Sequence, residues 1–262
     1  LHRRRHSFPT RRSSDLAVLG SIQPQPLDFE ADGSLDLNKV YLAIKPDDVH
    51  HARTKLLCLE NTTGGKVLPL EYLQSIPSFC RENNLASHLD GARVFNAAVA
   101  SRVSLDKISR NFDSLSICLS KGLGTPMGSV LCGSRELIKE ARKYRKMLGG
   151  GMRQAGIVAA AGLYALDNNI ERLAEDHRRA KELATVLEHK DWVASVEPVE
   201  TNILIFSLAP QVSEAQLIEK LKQKNILISS MGQGKLRIVT HLDYREVMHT
   251  YVLETLEKLV IS

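Results

Sequence analysis

Lys121 follows an apolar run, SLSICL, and opens a turn with three glycines, Lys121-Gly122-Leu123-Gly124-Thr125-Pro126-Met127-Gly128. Glycines permit tight turns and let a flat ligand come close to the backbone. A lysine at the carboxyl end of a strand faces the crevice in which open α/β sheets hold ligands. Partial burial there would lower the amine's pKa and free its lone pair for Schiff-base chemistry. The bland alternative is a surface lysine in a Gly-rich loop. Upstream, Asp90-Gly91-Ala92-Arg93 follows a second short run that ends in His88-Leu89. Asp-Gly alone is a common turn, but a carboxylate one strand away from Lys121 could share its crevice. An amine and an acid facing one crevice are the pair that pyridoxal 5'-phosphate requires. The lysine holds the aldehyde, and the carboxylate keeps the ring nitrogen protonated so that the ring can accept electrons. An ionic hydrogen bond of that kind contributes roughly 1.5–3 kcal/mol. Gly122-x-Gly124-x-x-x-Gly128 also invites a dinucleotide reading. That reading needs a helix N-terminus after the turn, whereas 129–132 reads as a strand and Pro126 interrupts the loop.

Elements must exist to carry these groups, and the sequence alternates strand-like with helix-like segments. LLCL at 56–59 is a short apolar run of the kind expected for a strand covered on both faces. Further strands are expected at 86–89, 114–119, 129–132, 203–207, 226–228 and 236–239. Helical spacing marks 70–81, where Pro77 must distort the helix or mark its first turn. It also marks 105–108, 135–147, 156–166, 170–189, 214–223 and 244–259. Such alternation predicts an α/β fold, a mainly parallel sheet sandwiched by helices. The turn residues Asp167-Asn168-Asn169 suggest a boundary, giving a partial large domain at 17–167 and a small C-terminal α/β domain at 168–262.

Composition narrows the function classes. The 262 residues are 43% hydrophobic and 25% charged, with a net charge of +5. Residues 1–16 hold five arginines against one aspartate, so the body is close to neutral and offers no nucleic-acid footprint. That Arg/Ser-dense stretch reads as an extraneous leader and is set aside from the fold. The longest nearly uncharged run, 156–166, is too short to cross a bilayer. Three of the four cysteines sit in apolar runs without paired spacing, which suggests reduced, buried thiols and a cytoplasmic protein. No Cys/His spacing supports a metal. His177, His189 and His249 fall on expected helices and should be solvated. His88 reads as a structural histidine, His241 as a strand-end residue and Trp192 as packing.

Four longer motifs then resemble one family. LENTTGGKVLP (59–69), LDGARVFNA (89–97), LSKGLGTPMGS (119–129) and RKMLGGGMRQAGI (145–157) together resemble the low-specificity L-threonine aldolases. These belong to the β-eliminating lyase group of fold-type I pyridoxal-phosphate enzymes. The resemblance implies Lys121 as the Schiff-base lysine, Asp90 as the pyridinium partner, and Ser120 among the cofactor contacts. Arg93 matches an arginine near the ring hydroxyl and the substrate carboxylate, and Arg237 a carboxylate-binding arginine of the small domain. Arg153 matches a residue that reaches the cofactor phosphate across a subunit interface. His50, with His51 beside it, matches an active-site histidine near the substrate side chain. The implied reaction is cleavage of L-threonine or L-allo-threonine to glycine and acetaldehyde by a homotetramer. Family members carry a further N-terminal stretch with a phosphate-cradling Gly/Thr loop and a ring-stacking histidine. The chain therefore reads as N-terminally truncated, and the alternatives are a catalytically silent fragment or another pyridoxal-phosphate amino-acid lyase.

Overall fold

The computed structural model describes residues 13–261; most of the stretch read above as a leader, residues 1–12, lies outside them. Helices α1 (Ser13–Gly20) and α2 (Leu37–Ala43) lead into β1 (Leu56–Glu60), α3 (Leu70–Glu82), β2 (Ala86–Gly91), α4 (Val94–Ser101), α5 (Leu105–Ser109), β3 (Ser114–Cys118) and β4 (Ser129–Gly133). Helices α6 (Arg135–Met147), α7 (Gly156–Asn168) and α8 (Leu173–Glu188) follow. Then come β5 (Val193–Val196), β6 (Ile203–Leu208), α9 (Glu214–Lys222), β7 (Ser229–Gly232), β8 (Lys235–Val239) and α10 (Glu246–Lys258). Several helices begin where the sequence supplies a side-chain cap: Asp36, Ser134 and Ser213 each accept an amide of the first turn.

The first sheet has the order β1-β2-β3-β4, with β1, β2 and β3 parallel and β4 antiparallel to β3. Alternation sorts its side chains onto two faces. Leu57, Leu59, Leu89, Leu115 and Ile117 enter a core shared with Leu73 and Ile76 of α3, Val94 of α4 and Ile108 of α5. Each such fully buried leucine or isoleucine contributes about 1.5–3 kcal/mol. The opposite face carries Cys58, Glu60, His88, Asp90, Ser116 and Cys118, all half-buried. The expectation that 56–59 is covered on both faces is thus corrected. Among the described residues the cover is one-sided, and polar groups occupy the other side.

The second sheet, order β5-β6-β8-β7, is antiparallel throughout and has its own core of Leu204, Phe206, Leu236, Leu217 and Leu221. Trp192 packs edge-on against Phe206, as its packing role requires. Helix α8 joins the two cores: Leu173 at its start belongs to the first, and Leu183 and Leu187 near its end to the second. The 61–68 loop docks onto the second sheet as well. Thr201 Oγ1 donates to the Gly65 carbonyl at 2.6 Å, and the Val67 amide donates to Glu200 at 2.8 Å. Gly65 has φ +97°, and a Cβ there would lie 2.8 Å from Ile203 Cβ, so only glycine fits.

Several expectations need correction. No strand forms at 226–228, because the Ile226 amide closes the α9 C-terminus on Leu221 O at 2.9 Å after Asn225 turns left-handed. The edge strand forms three residues later, as β7. The helix expected from 170 begins at Leu173, and Pro77 sits inside α3 rather than in its first turn. Helices α2 and α4 and strand β5 were not legible. Cys80 is buried, Cys58 and Cys118 are half-buried, and Cys132 is exposed because β4 is uncovered among the described residues.

His177 and His249 are buried rather than solvated, since both sit on helix faces that meet other elements. His249 bridges Tyr244 Oη at 3.1 Å and Glu182 Oε2 at 2.6 Å between α8 and α10. His177 Nε2 lies 3.0 Å from Asn96 Oδ1, which can only accept, so the imidazole donates. Burial lowers the His177 pKa to about 4. The unfolded chain therefore binds an extra proton between pH 6.5 and 4. The neutral imidazole's contribution is complete above pH 6.5 and is lost as pH falls toward 4, a difference of about 3 kcal/mol. Denaturant unfolding at pH 7 and pH 4.5 should show that loss, and His177→Gln should flatten it.

Candidate active site

Asp90 stands next to last on β2, in register with Glu60 on β1 and Ser116 on β3. Its Oδ1 accepts the Ala92 amide at 2.9 Å, which fixes the carboxylate beside the first turn of α4. Among the described residues no hydrogen bond engages the other oxygen. Gly91 makes this placement possible, because a Cβ there would lie 2.5 Å from Ser116 O and 2.6 Å from Leu115 Cδ1. Gly91→Ala should cost about 2–3 kcal/mol by pushing β2 from β3, measurable by urea unfolding.

Arg93 occupies the N-cap position of α4, without a side-chain cap bond, and is half-buried. Burial pulls its guanidinium below the ordinary value, Glu60 pulls it back up, Arg237 pushes it down, and Cys118 and Asp90 raise it. Arg93 is thus within electrostatic reach of Glu60 at the end of β1, Asp90 near the end of β2, Cys118 at the end of β3 and Arg237 on β8. Arg237 projects from β8, opposite Ile205 on β6. Its Nε is buried and has no hydrogen-bond partner among the described residues. Two guanidiniums within electrostatic reach, one with a buried donor unpartnered among the described residues, have the chemistry to receive a planar anion such as a carboxylate.

Lys121 lies three residues past β3, in a turn closed by Gly124 N to Lys121 O at 2.9 Å and Thr125 N to Leu119 O at 3.2 Å. Lys121 and Asp90 therefore sit at the carboxyl ends of adjacent parallel strands. The lysine is exposed among the described residues, which corrects the expected partial burial; its amine makes no hydrogen bond there. Ser120 Oγ lies 3.6 Å from Cys118 Sγ. His88 shares the Asp90 face and bonds Ser114 Oγ through Nδ1 at 2.8 Å, a structural pairing. Burial lowers its pKa, and Asp90 opposes that.

Two residues of the expected set lie apart. His50 is exposed, its amide held by Asp48 at 2.8 Å, and it lines a largely apolar groove of about 890 Å³ along the open edge of β1. Glu60 also lines that groove. Arg153 is exposed on the connection between α6 and α7. Glu60 is the residue that sequence reasoning missed, although it ends the LLCL strand and so must stand level with Asp90. His241 is exposed beyond β8 and folds back on the Asp243 amide at 3.2 Å.

The arrangement fits a pyridoxal-type group. It offers a primary amine and a free carboxylate oxygen at neighbouring strand ends, with an unpartnered guanidinium donor nearby for an amino-acid carboxylate. The Beta-eliminating lyase family profile matches residues 2–211. A low-specificity L-threonine aldolase of Escherichia coli strain K12 is 56% identical over 227 residues, 87% of this chain and 67% of that protein.

The chain belongs to the β-eliminating lyase family.

Solved structures agree on the architecture of this lyase. A Leishmania major threonine aldolase superposes with TM-score 0.75 at 22% identity, over 92% of this chain and 72% of that one. A PLP-dependent aminotransferase from Streptococcus suis 89-1591 gives 0.65 at 18% identity, over 88% and 62%. The lyase therefore has the fold-type I architecture. Among the described residues no helix is long and apolar enough to cross a membrane, and no His/Cys/Asp/Glu cluster could hold a metal ion.

Proposed function

We propose that this lyase cleaves L-threonine or L-allo-threonine to glycine and acetaldehyde. The observation that carries the proposal is the buried Arg237 Nε, without a hydrogen-bond partner among the described residues and within electrostatic reach of the Arg93 guanidinium, which also senses Asp90. That receptor selects an α-carboxylate, and the aldolase relatives supply the substrate class. Lys121 holds the cofactor through its amine, Asp90 pairs with the ring nitrogen, and Ser120 lies at the turn beside it. Arg93 and Arg237 clamp the substrate carboxylate by two-pronged donation. When bound, the cofactor supplies an electron sink for the pair released as Cα–Cβ breaks. The β-hydroxyl proton leaves to His50 or through a water, and the Cβ carbon departs as an aldehyde; because His50 stands apart on the β1 edge, a water between it and the substrate is the route that the geometry favours. A proton delivered to Cα completes glycine.

This reading extends to assembly. Val130 and Leu131 of β4, Tyr144 and Met147 of α6, and Ile157 and Leu163 of α7 are all exposed apolar residues on consecutive elements. A second copy covers such a surface, giving a homo-oligomer, a tetramer by family resemblance. Arg153 lies on the same stretch and reaches the phosphate of a neighbour's cofactor. The four free cysteines fit a cytoplasmic location.

The test is titration of the chain with pyridoxal 5'-phosphate followed by product analysis. A visible absorbance band, with glycine and acetaldehyde formed in equal amounts from L-threonine, is the expected result. Ammonia or CO₂ release instead would favour a sister lyase activity. Neither band nor product would indicate a catalytically silent fragment.

A further inference from the structure

The turn that carries Lys121 and the strand that carries Arg237 belong to different sheets, yet both are fastened to the α7–α8 connection and the first turns of α8. On the turn side, Asn169 Nδ2 donates to Leu123 O at 2.8 Å, and Arg172 Nη1 reaches Gly122 O at 3.5 Å. Leu173 lies directly against the Gly122 backbone. His177 holds Asn96, whose amide nitrogen approaches the same glycine. On the strand side, Thr240 Oγ1 donates to the Asp176 carbonyl at 2.7 Å. Thr240 is three residues beyond Arg237, and both its backbone groups are tied to Asn202: Thr240 N to Asn202 O at 3.1 Å, and Asn202 Nδ2 to Thr240 O at 2.8 Å.

Between these anchors stands an ion pair. Arg172 grips both oxygens of Asp176, at 2.6 and 3.1 Å, and Asp176 is completely buried. Burying a carboxylate is costly unless it is paired and hydrogen-bonded. Arg172, Asp176 and Thr240 form one continuous connection, from the Gly122 carbonyl to the end of β8.

We propose that Asp176 and Thr240 are positioning residues that hold the Lys121 turn and the Arg237 strand in fixed relation, so that the substrate carboxylate is delivered at a set distance from the lysine amine. The proposal rests on the roles given to Lys121 and Arg237 above. Both side chains are fully buried, and they act through α8.

The experiment uses Thr240→Val, which removes the hydroxyl but keeps the shape, and Asp176→Asn. Amide hydrogen exchange is followed in the cofactor-free chain at the turn amides of Gly124 and Thr125 and along β8. Steady-state kinetics with L-threonine are measured on the loaded enzyme. Thr240→Val is expected to speed exchange at both places roughly tenfold, and to raise KM several-fold with kcat within about twofold, as a coupling of moderate size requires. Asp176→Asn gives the same pattern with larger changes. Faster exchange on β8 alone, with the turn amides unchanged, would reduce Thr240 to a local structural residue and overturn the proposal. If Asp176→Asn does not fold, Thr240→Val decides alone. Exchange in the cofactor-free chain is independent of turnover. An inactive wild type would therefore count against the aldolase reading, while a missing response at the turn would count against this one.

Discussion

Lys121→Ala is expected to abolish the visible band that forms with pyridoxal 5'-phosphate and to lower glycine formation by roughly 10⁴-fold. At 1.36 kcal/mol per decade, that is between 5 and 6 kcal/mol of barrier, about the share expected of a covalent nucleophile. The loss should occur without unfolding. Lys121 is exposed, and its amine makes no hydrogen bond among the described residues, while its turn is closed by backbone bonds that alanine retains. Thermal denaturation should therefore superimpose on the wild type. Lys121→Arg sharpens the result, because it keeps the positive charge but offers no nucleophilic amine at neutral pH. If Lys121→Arg also lacks the band, charge alone does not hold the cofactor. A variant that keeps the band would move the lysine assignment elsewhere.

Asp90→Asn should leave the band in place but lower kcat by roughly 10³-fold, about 4 kcal/mol. The asparagine carbonyl can still accept the Ala92 amide, so the backbone around the first turn of α4 should hold. What disappears is the negative charge that keeps a pyridine nitrogen protonated and its ring able to accept electrons. The same charge also supports the protonated forms of His88 and Arg93. KM should change only a few-fold, because the carboxylate clamp of Arg93 and Arg237 remains. An unchanged kcat would mean that Asp90 does not face the ring nitrogen. A large rise in KM with kcat intact would instead place Asp90 in substrate binding.

Much of the framework was legible because its signals are local. Short apolar runs before Asp90 and Lys121 marked the parallel strands, and the glycines after Lys121 marked its turn. The 167–169 turn residues mark the end of α7 in the structure. What the sequence could not show depended on contacts between distant segments. His177 and His249 occupy polar-looking helix positions, and only the approach of α4 and α10 to α8 buries them. The dangling Arg237 Nε, the level placement of Glu60 and Asp90, and the double grip of α8 arise from register and docking, which no single window encodes. The 226–228 run has a strand's composition, yet its first amide is spent on capping α9.

The central claim is that Lys121 carries the cofactor opposite Asp90. Borohydride reduction of the pyridoxal-phosphate-loaded chain, followed by proteolysis and peptide mass analysis, tests it directly. The account predicts a single pyridoxyl label, on the lysine of the Ser120-Lys121-Gly122 sequence. A label on Lys146, Lys66 or any other lysine, or no label on a folded chain, would contradict it.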